Sequence, residues 1–165
     1  KVASFEMNDL DLIKKIAKTK KPIIISTGMA SLDEISEAFY TAKKFGSKDI
    51  TLLYCVSNYP SKINDFNLNN IKILEKKFNC RVGLSDHSNN NIVAKTAVAL
   101  GAKVIEKHIA LENQKTGLDI EFSLKGKEIK KFLDNLYEVN KIMGKEIFFR
   151  SNDEKKILNL EDQFI

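Results

Sequence analysis

Gly83-Leu84-Ser85-Asp86-His87 and Val104-Ile105-Glu106-Lys107-His108 are the two segments whose reading decides the fold. Each is a short apolar run that ends in histidine, and these are the only two histidines in the 165 residues. Side chains alternate between the faces of a strand, so Ser85 shares a face with His87, and Glu106 shares one with His108. If the strands are parallel neighbours, both imidazoles project from the same edge of the sheet. Two nitrogen ligands at that place suit one divalent metal ion. A lone histidine there reads more simply as a strand cap. Two of them, each with a polar residue two positions earlier, point to a site.

Outward from these segments the same unit recurs. Apolar runs at 2–4, 22–26, 50–56, 81–84 and 102–108 read as buried strands. Helical patterns lie between them. Residues 9–18 carry apolar side chains at 10, 12, 13 and 16, the spacing of one helix face. Ser31 is an N-cap with Glu34 at the capping-box position, and the helix it opens is expected to run to about Phe45 before Gly46 stops it. Residues 68–78, 91–100 and 127–143 complete the set, with Gly101 and Gly144 as stops. A strand and a helix repeating every roughly 25–30 residues is the pattern of a parallel α/β protein.

Two architectures accept that pattern, an open doubly wound sheet and a (β/α)8 TIM barrel. No glycine-rich phosphate loop follows the first strand, which disfavours the nucleotide-binding sheet. Polar residues instead gather at the C-terminal ends of all five expected strands: Ser4 and Glu6, Ser26, Ser57 and Tyr59, Ser85 and His87, Glu106 and His108. Barrel enzymes build their sites there. A barrel needs eight strands and about 250 residues. The expectation is an incomplete TIM barrel, about its last five βα units, over residues 1–148, with 149–165 as a linker toward a further domain.

Composition bounds the function. An apolar fraction of 43% and a charged fraction of 30% are those of a soluble globular protein. No apolar run approaches a bilayer span and the start lacks a signal-peptide layout, so no membrane role is expected. Cys55 and Cys80 read as reduced strand residues of a cytoplasmic protein. The net charge of +5 is almost wholly lysine, Arg81 and Arg150 being the only arginines. Without an arginine stripe or stacking aromatics the lysines read as solvated helix faces, and no nucleic-acid partner is expected. A mild positive field does favour an anionic substrate.

The strand ends form a ring around one pocket. Lys1, Ser4, Ser26, Ser57 and Ser85 supply an ammonium and hydroxyls that suit a phosphate or carboxylate. Glu6 either faces the pocket or places its charge at the start of the next helix, where the macrodipole favours it. Asp119, in a Thr116-Gly117-Leu118-Asp119 loop, is a turn former that can reach a substrate hydroxyl. The rival chemistry is a Schiff-base aldolase. Lys107 is turned away by the pleat, Lys1 stands at the edge of the chain, and the histidine pair favours metal assistance instead.

Lys1-Val-Ala-Ser-Phe-Glu6, Pro22-Ile-Ile-Ile-Ser-Thr-Gly-Met29, Cys55-Val-Ser-Asn-Tyr-Pro60 and the two histidine segments, in this order and spacing, resemble the sialic acid synthase family. Within it, residues 1–9 and 55–60 look most like the pseudaminic acid branch; N-acetylneuraminate and legionaminic acid synthases are the alternatives. The resemblance implies condensation of phosphoenolpyruvate with an N-acylated amino sugar, with release of phosphate. It implies that Lys1, Ser4, Ser26 and Ser85 bind phosphoenolpyruvate, with Ser57 at a further substrate position. His87 and His108 would ligate Mn²⁺, with Mg²⁺ or Co²⁺ as substitutes. Glu6, Tyr59, Glu106 and Asp119 would line the pocket around the sugar and the reacting centre. It also implies a homodimer at full length, three earlier strands that supply a glutamate, and a C-terminal domain. The chain alone is therefore expected to be inactive, and a truncated remnant that only binds metal or anion is the alternative of another class.

Overall fold

Isoleucine, leucine and valine at every second position give each strand one apolar face, and that face is where the helices settle. The computed structural model describes residues 1–161. Strands β1 (Ile23–Ser26), β2 (Ile50–Cys55), β3 (Arg81–Asp86) and β4 (Ile105–Lys107) form one parallel sheet in sequence order. The register aligns Ile25 with Leu52, Leu52 with Val82, and Leu84 with Ile105. These rows bury against α1 (Leu10–Ala17), α2 (Leu32–Lys44), α3 (Asn70–Phe78) and α4 (Asn91–Ala99). Ile13 and Ala17, Ala38 and Phe39, Ile71 and Leu74, and Val93 and Ala97 are their contributions to one continuous core.

Consecutive strands in sequence order, with these four helices sharing a single core, match an incomplete (β/α)8 barrel. A doubly wound sheet would reverse its strand order and cover both faces. The capping box expected at Ser31 is present. Its hydroxyl accepts from the Glu34 N–H at 3.3 Å, and Glu34 returns a carboxylate to the Ser31 N–H at 2.7 Å.

Three elements depart from expectation. The strand expected at 2–4 is a single parallel bridge, Val2 to Ile25. Val2 N–H donates to Ile24 and its carbonyl accepts from Ser26, but a 3₁₀ turn at Ser4–Glu6 ends the extension at once. Cys80 lies in the bend before β3, not in a strand; both cysteines are free. A small parallel pair, β5 (Ile109–Ala110) with β6 (Leu124–Lys125), extends the fold beyond β4. It leads into α5 (Lys127–Met143), which packs Phe132 against Ala94 and Leu124. A last helix, α6 (Asn152–Glu161), occupies much of the expected linker, whose residues 162–165 lie outside the described ones.

Gly83 sets how closely β3 meets the chain entering β4. A methyl group there would collide with the Val104 carbonyl and come within 2.8 Å of Leu53. Gly83→Ala should therefore destabilise the fold by about 1–3 kcal/mol, the usual cost of overpacking. Thermal unfolding measures it; an unchanged Tm would mean that the two strands can spread.

Candidate metal and anion site

The face of the sheet opposite the helices gathers the polar side chains at the strand ends. Parallel register places Cys55, Ser85 and Glu106 in one row across β2, β3 and β4. His87 and His108 follow one pleat period later, side by side, with ring centroids 5.2 Å apart. His87 is buried at 5% exposure, with Nδ1 3.2 Å from the Val56 carbonyl. Donation of Nδ1–H to that carbonyl leaves the Nε2 lone pair available. Burial pushes the His87 pKa down; the Val56 carbonyl opposes this and the neighbouring His108 reinforces it. The ring is thus held neutral, as a metal ligand must be. On His108, Nδ1 faces Asp119 Oδ2 at 3.6 Å, beyond direct hydrogen-bond distance.

Two imidazoles with Nδ1 facing oxygen and Nε2 free fit a divalent ion of the zinc or manganese class. Among the described residues no group of three histidine, cysteine, aspartate or glutamate side chains converges as a ligand set. The remaining positions around such an ion would fall to other oxygen donors, as in catalytic sites that keep a place open.

Beside the histidines, Glu106 accepts from Lys1 Nζ at 2.6 Å and from Ser85 Oγ at 2.7 Å, both on the same oxygen. Burial pushes the Glu106 carboxyl up. The hydrogen bonds from Lys1 and Ser85 together with the Lys1 charge outweigh it and hold the pKa below the ordinary carboxylate range. Lys1, expected as an anion ligand, therefore comes with a carboxylate partner.

Ser4 and Ser57 converge on Gly28. The Gly28 N–H donates to Ser4 Oγ at 3.0 Å, and a Cβ on Gly28 would strike Ser57 Oγ and lie 2.8 Å from Ser4 Oγ. Glycine here leaves a cradle between two hydroxyls. Ser26 is 1% exposed and its hydroxyl has no hydrogen-bond partner among the described residues. A buried hydroxyl in that state calls for a ligand oxygen or a water. Tyr59 lays its ring 4.4 Å from that of His87. Its phenol is pushed up first by burial and then by Cys55.

Ten of the eleven expected site residues thus lie at this one face or its rim. Glu6 lies exposed on the 3₁₀ turn that carries Ser4, and its carboxylate accepts from the Ala3 N–H at 3.1 Å; it caps that turn, while the N-cap of α1 is Asp9. Lys107 points to the helix side, as the pleat requires. Two neighbours escaped the sequence. Cys55 Sγ sits 3.8 Å from His87 Nδ1, and Phe122 closes the pocket with its ring 5.1 Å from His108 and 5.8 Å from Tyr59. Period 2 from Ser57 already marks Cys55. Phe122 follows Asp119 by one 3₁₀ turn, a spacing that puts both on one side.

The chain is 42% identical over 162 residues to the N,N'-diacetyllegionaminic acid synthase of Campylobacter jejuni, covering 97% of this chain and 48% of that one. It is 43% identical over 144 residues to the pseudaminic acid synthase of the same species, covering 87% and 42%. The crystal structure of N-acetylneuraminic acid (sialic acid) synthetase from Leptospira borgpetersenii, in complex with citrate, superposes with a TM-score of 0.88 at 33% identity, covering 97% of this chain and 56% of that one. The chain spans about half the length of these relatives. The NeuB family profile matches residues 1–148, and the chain belongs to the NeuB family.

Proposed function

We propose that this chain carries the metal and phosphoenolpyruvate side of a nonulosonic acid synthase, with pseudaminic acid as the product. The observation that carries the reading is the pairing of His87 and His108, each with Nδ1 turned to an oxygen, beside the Lys1–Glu106–Ser85 chain. In the reaction, C3 of phosphoenolpyruvate attacks the aldehyde carbon of an open-chain N-acylated amino sugar, whose oxygen gains a proton. Water adds at C2, and the C–O bond to phosphate breaks to leave the keto acid.

His87 and His108 would hold the divalent ion, Mn²⁺ being the first choice. When bound, it supplies Lewis acidity toward a carbonyl oxygen. The serines and Lys1 orient the anionic substrate. Ser26 offers an unsatisfied hydroxyl, Ser4 and Ser57 flank Gly28, and Ser85 and Lys1 already act as donors. Tyr59 and Phe122 would flank the two imidazoles with aromatic surface, and Asp119 stands at the rim for a sugar hydroxyl. Holding two substrates in register lowers the barrier by roughly 7–11 kcal/mol at best.

The test uses the intact protein that contains this chain. Phosphate release from phosphoenolpyruvate should require an N-acylated amino sugar, stop in chelator and return with Mn²⁺. Steady turnover in chelator would sink the metal reading, and product analysis with each sugar decides the branch. His87→Ala or His108→Ala should lower turnover by more than about 100-fold, beyond the usual cost of altering a residue behind the ligands.

Gly28→Ala should raise the KM for phosphoenolpyruvate about tenfold, a loss of about 1.4 kcal/mol, because the new methyl parts Ser4 from Ser57. An unchanged KM would take the serine cradle out of the substrate site.

The pH dependence has a defined sign. The lowered His87 pKa keeps its ligand form present on the acid side of an ordinary histidine, so the His87 share of metal binding should be lost only as pH falls through that depressed value. NMR titration of the His87 ring in metal-free protein reads the midpoint; one above the ordinary histidine range would contradict the assignment.

A further inference from the structure

The helix-side face of the sheet is apolar along β3 and β4 until its last rung. Val82, Leu84 and Ile105 pack in or against the core, and then Asp86 faces Lys107 across the ladder. Lys107 Nζ lies 3.1 Å from Asp86 Oδ2, and the two side chains are 6% and 0% exposed. Desolvating such a pair is costly enough that well-packed apolar side chains of similar size would hold the strands together as well or better. Apolar side chains lack the directional bonds that this pair makes. Asp86 accepts from the Ser88 N–H at 2.9 Å, and Lys107 donates to the Ser88 carbonyl. Both peptide groups of Ser88 are thereby gripped from the rung just before the two histidines. From the other side, the His87 carbonyl accepts from the Ser61 N–H at 3.0 Å.

We infer that the Asp86–Lys107 pair is a positioning device for the metal site. It clamps the backbone on both sides of His87 to the strand that presents His108, and so fixes the separation of the two imidazoles. The inference rests on the metal reading above and names positioning residues, since neither side chain faces the pocket.

The clamp requires that metal affinity and fold stability part company. The test is direct Mn²⁺ titration of the intact protein, followed by its electron paramagnetic resonance signal, beside thermal unfolding of the same samples. Lys107→Met should weaken Mn²⁺ binding about 10–100-fold, the range for residues that orient metal ligands, and should also lower Tm by leaving Asp86 buried and unpaired. The double variant Asp86→Leu/Lys107→Met should recover Tm while Mn²⁺ binding stays weak and the bound spectrum stays altered. Recovery of both together, or wild-type Mn²⁺ affinity in folded Lys107→Met, would reduce the pair to a strand staple and overturn the inference alone. Wild-type protein that binds no Mn²⁺ would overturn the metal reading and this inference with it.

Discussion

The register between β3 and β4 is the constraint on which the rest depends. Ser85 sits opposite Glu106 and Asp86 opposite Lys107, so the residues after them fall side by side. A slip of one residue in either strand would send its histidine to the helix side and bring a core residue into the pocket. Gly83 permits the close approach that this pairing needs. The apolar row of Val82, Leu84 and Ile105 makes the slip costly, because a shifted strand would expose those side chains.

The two faces of the sheet follow opposite rules. Toward the helices, packing decides, and the side chains are aliphatic until the final charged rung. Toward the pocket, the same strands end in hydroxyls, carboxylate and imidazole. Burial there acts on chemistry rather than on volume: it keeps His87 neutral and leaves Ser26 with an unused hydroxyl. Glu106 stays ionised against its burial because Lys1 and Ser85 compensate.

Much of this was legible in the residues. Period-2 alternation placed Ser85 with His87 and Glu106 with His108, and the helix at 127–143 appeared with the bounds read from its pattern. What escaped has physical reasons. The 2–4 run has the composition of a strand, but Glu6 folds back onto Ala3 and turns the chain. β5 and β6 are too short for any periodicity to show, and exist because tertiary packing brings them together. Phe122 reads in sequence as one more apolar residue; only the fold of the 111–123 segment sets it against both imidazoles. The bond from the Ala3 N–H to Glu6 belongs to neither reading of that residue, since residue type alone does not say where a side chain finds its donor.

The shared oxygen of Glu106 has one more consequence. Lys1 Nζ and Ser85 Oγ each give a hydrogen bond to this one oxygen. In the proposed reaction an incoming phosphate or carboxylate would meet Lys1 with two N–H groups to spare, since an ammonium carries three, but Ser85 with its single proton already given to Glu106. Ser85 could serve the anion only by exchanging one negative partner for another. The resident carboxylate would thus filter its competitors: a weakly hydrogen-bonding anion such as chloride gains little over Glu106, while a dianion with several oxygens can repay the exchange.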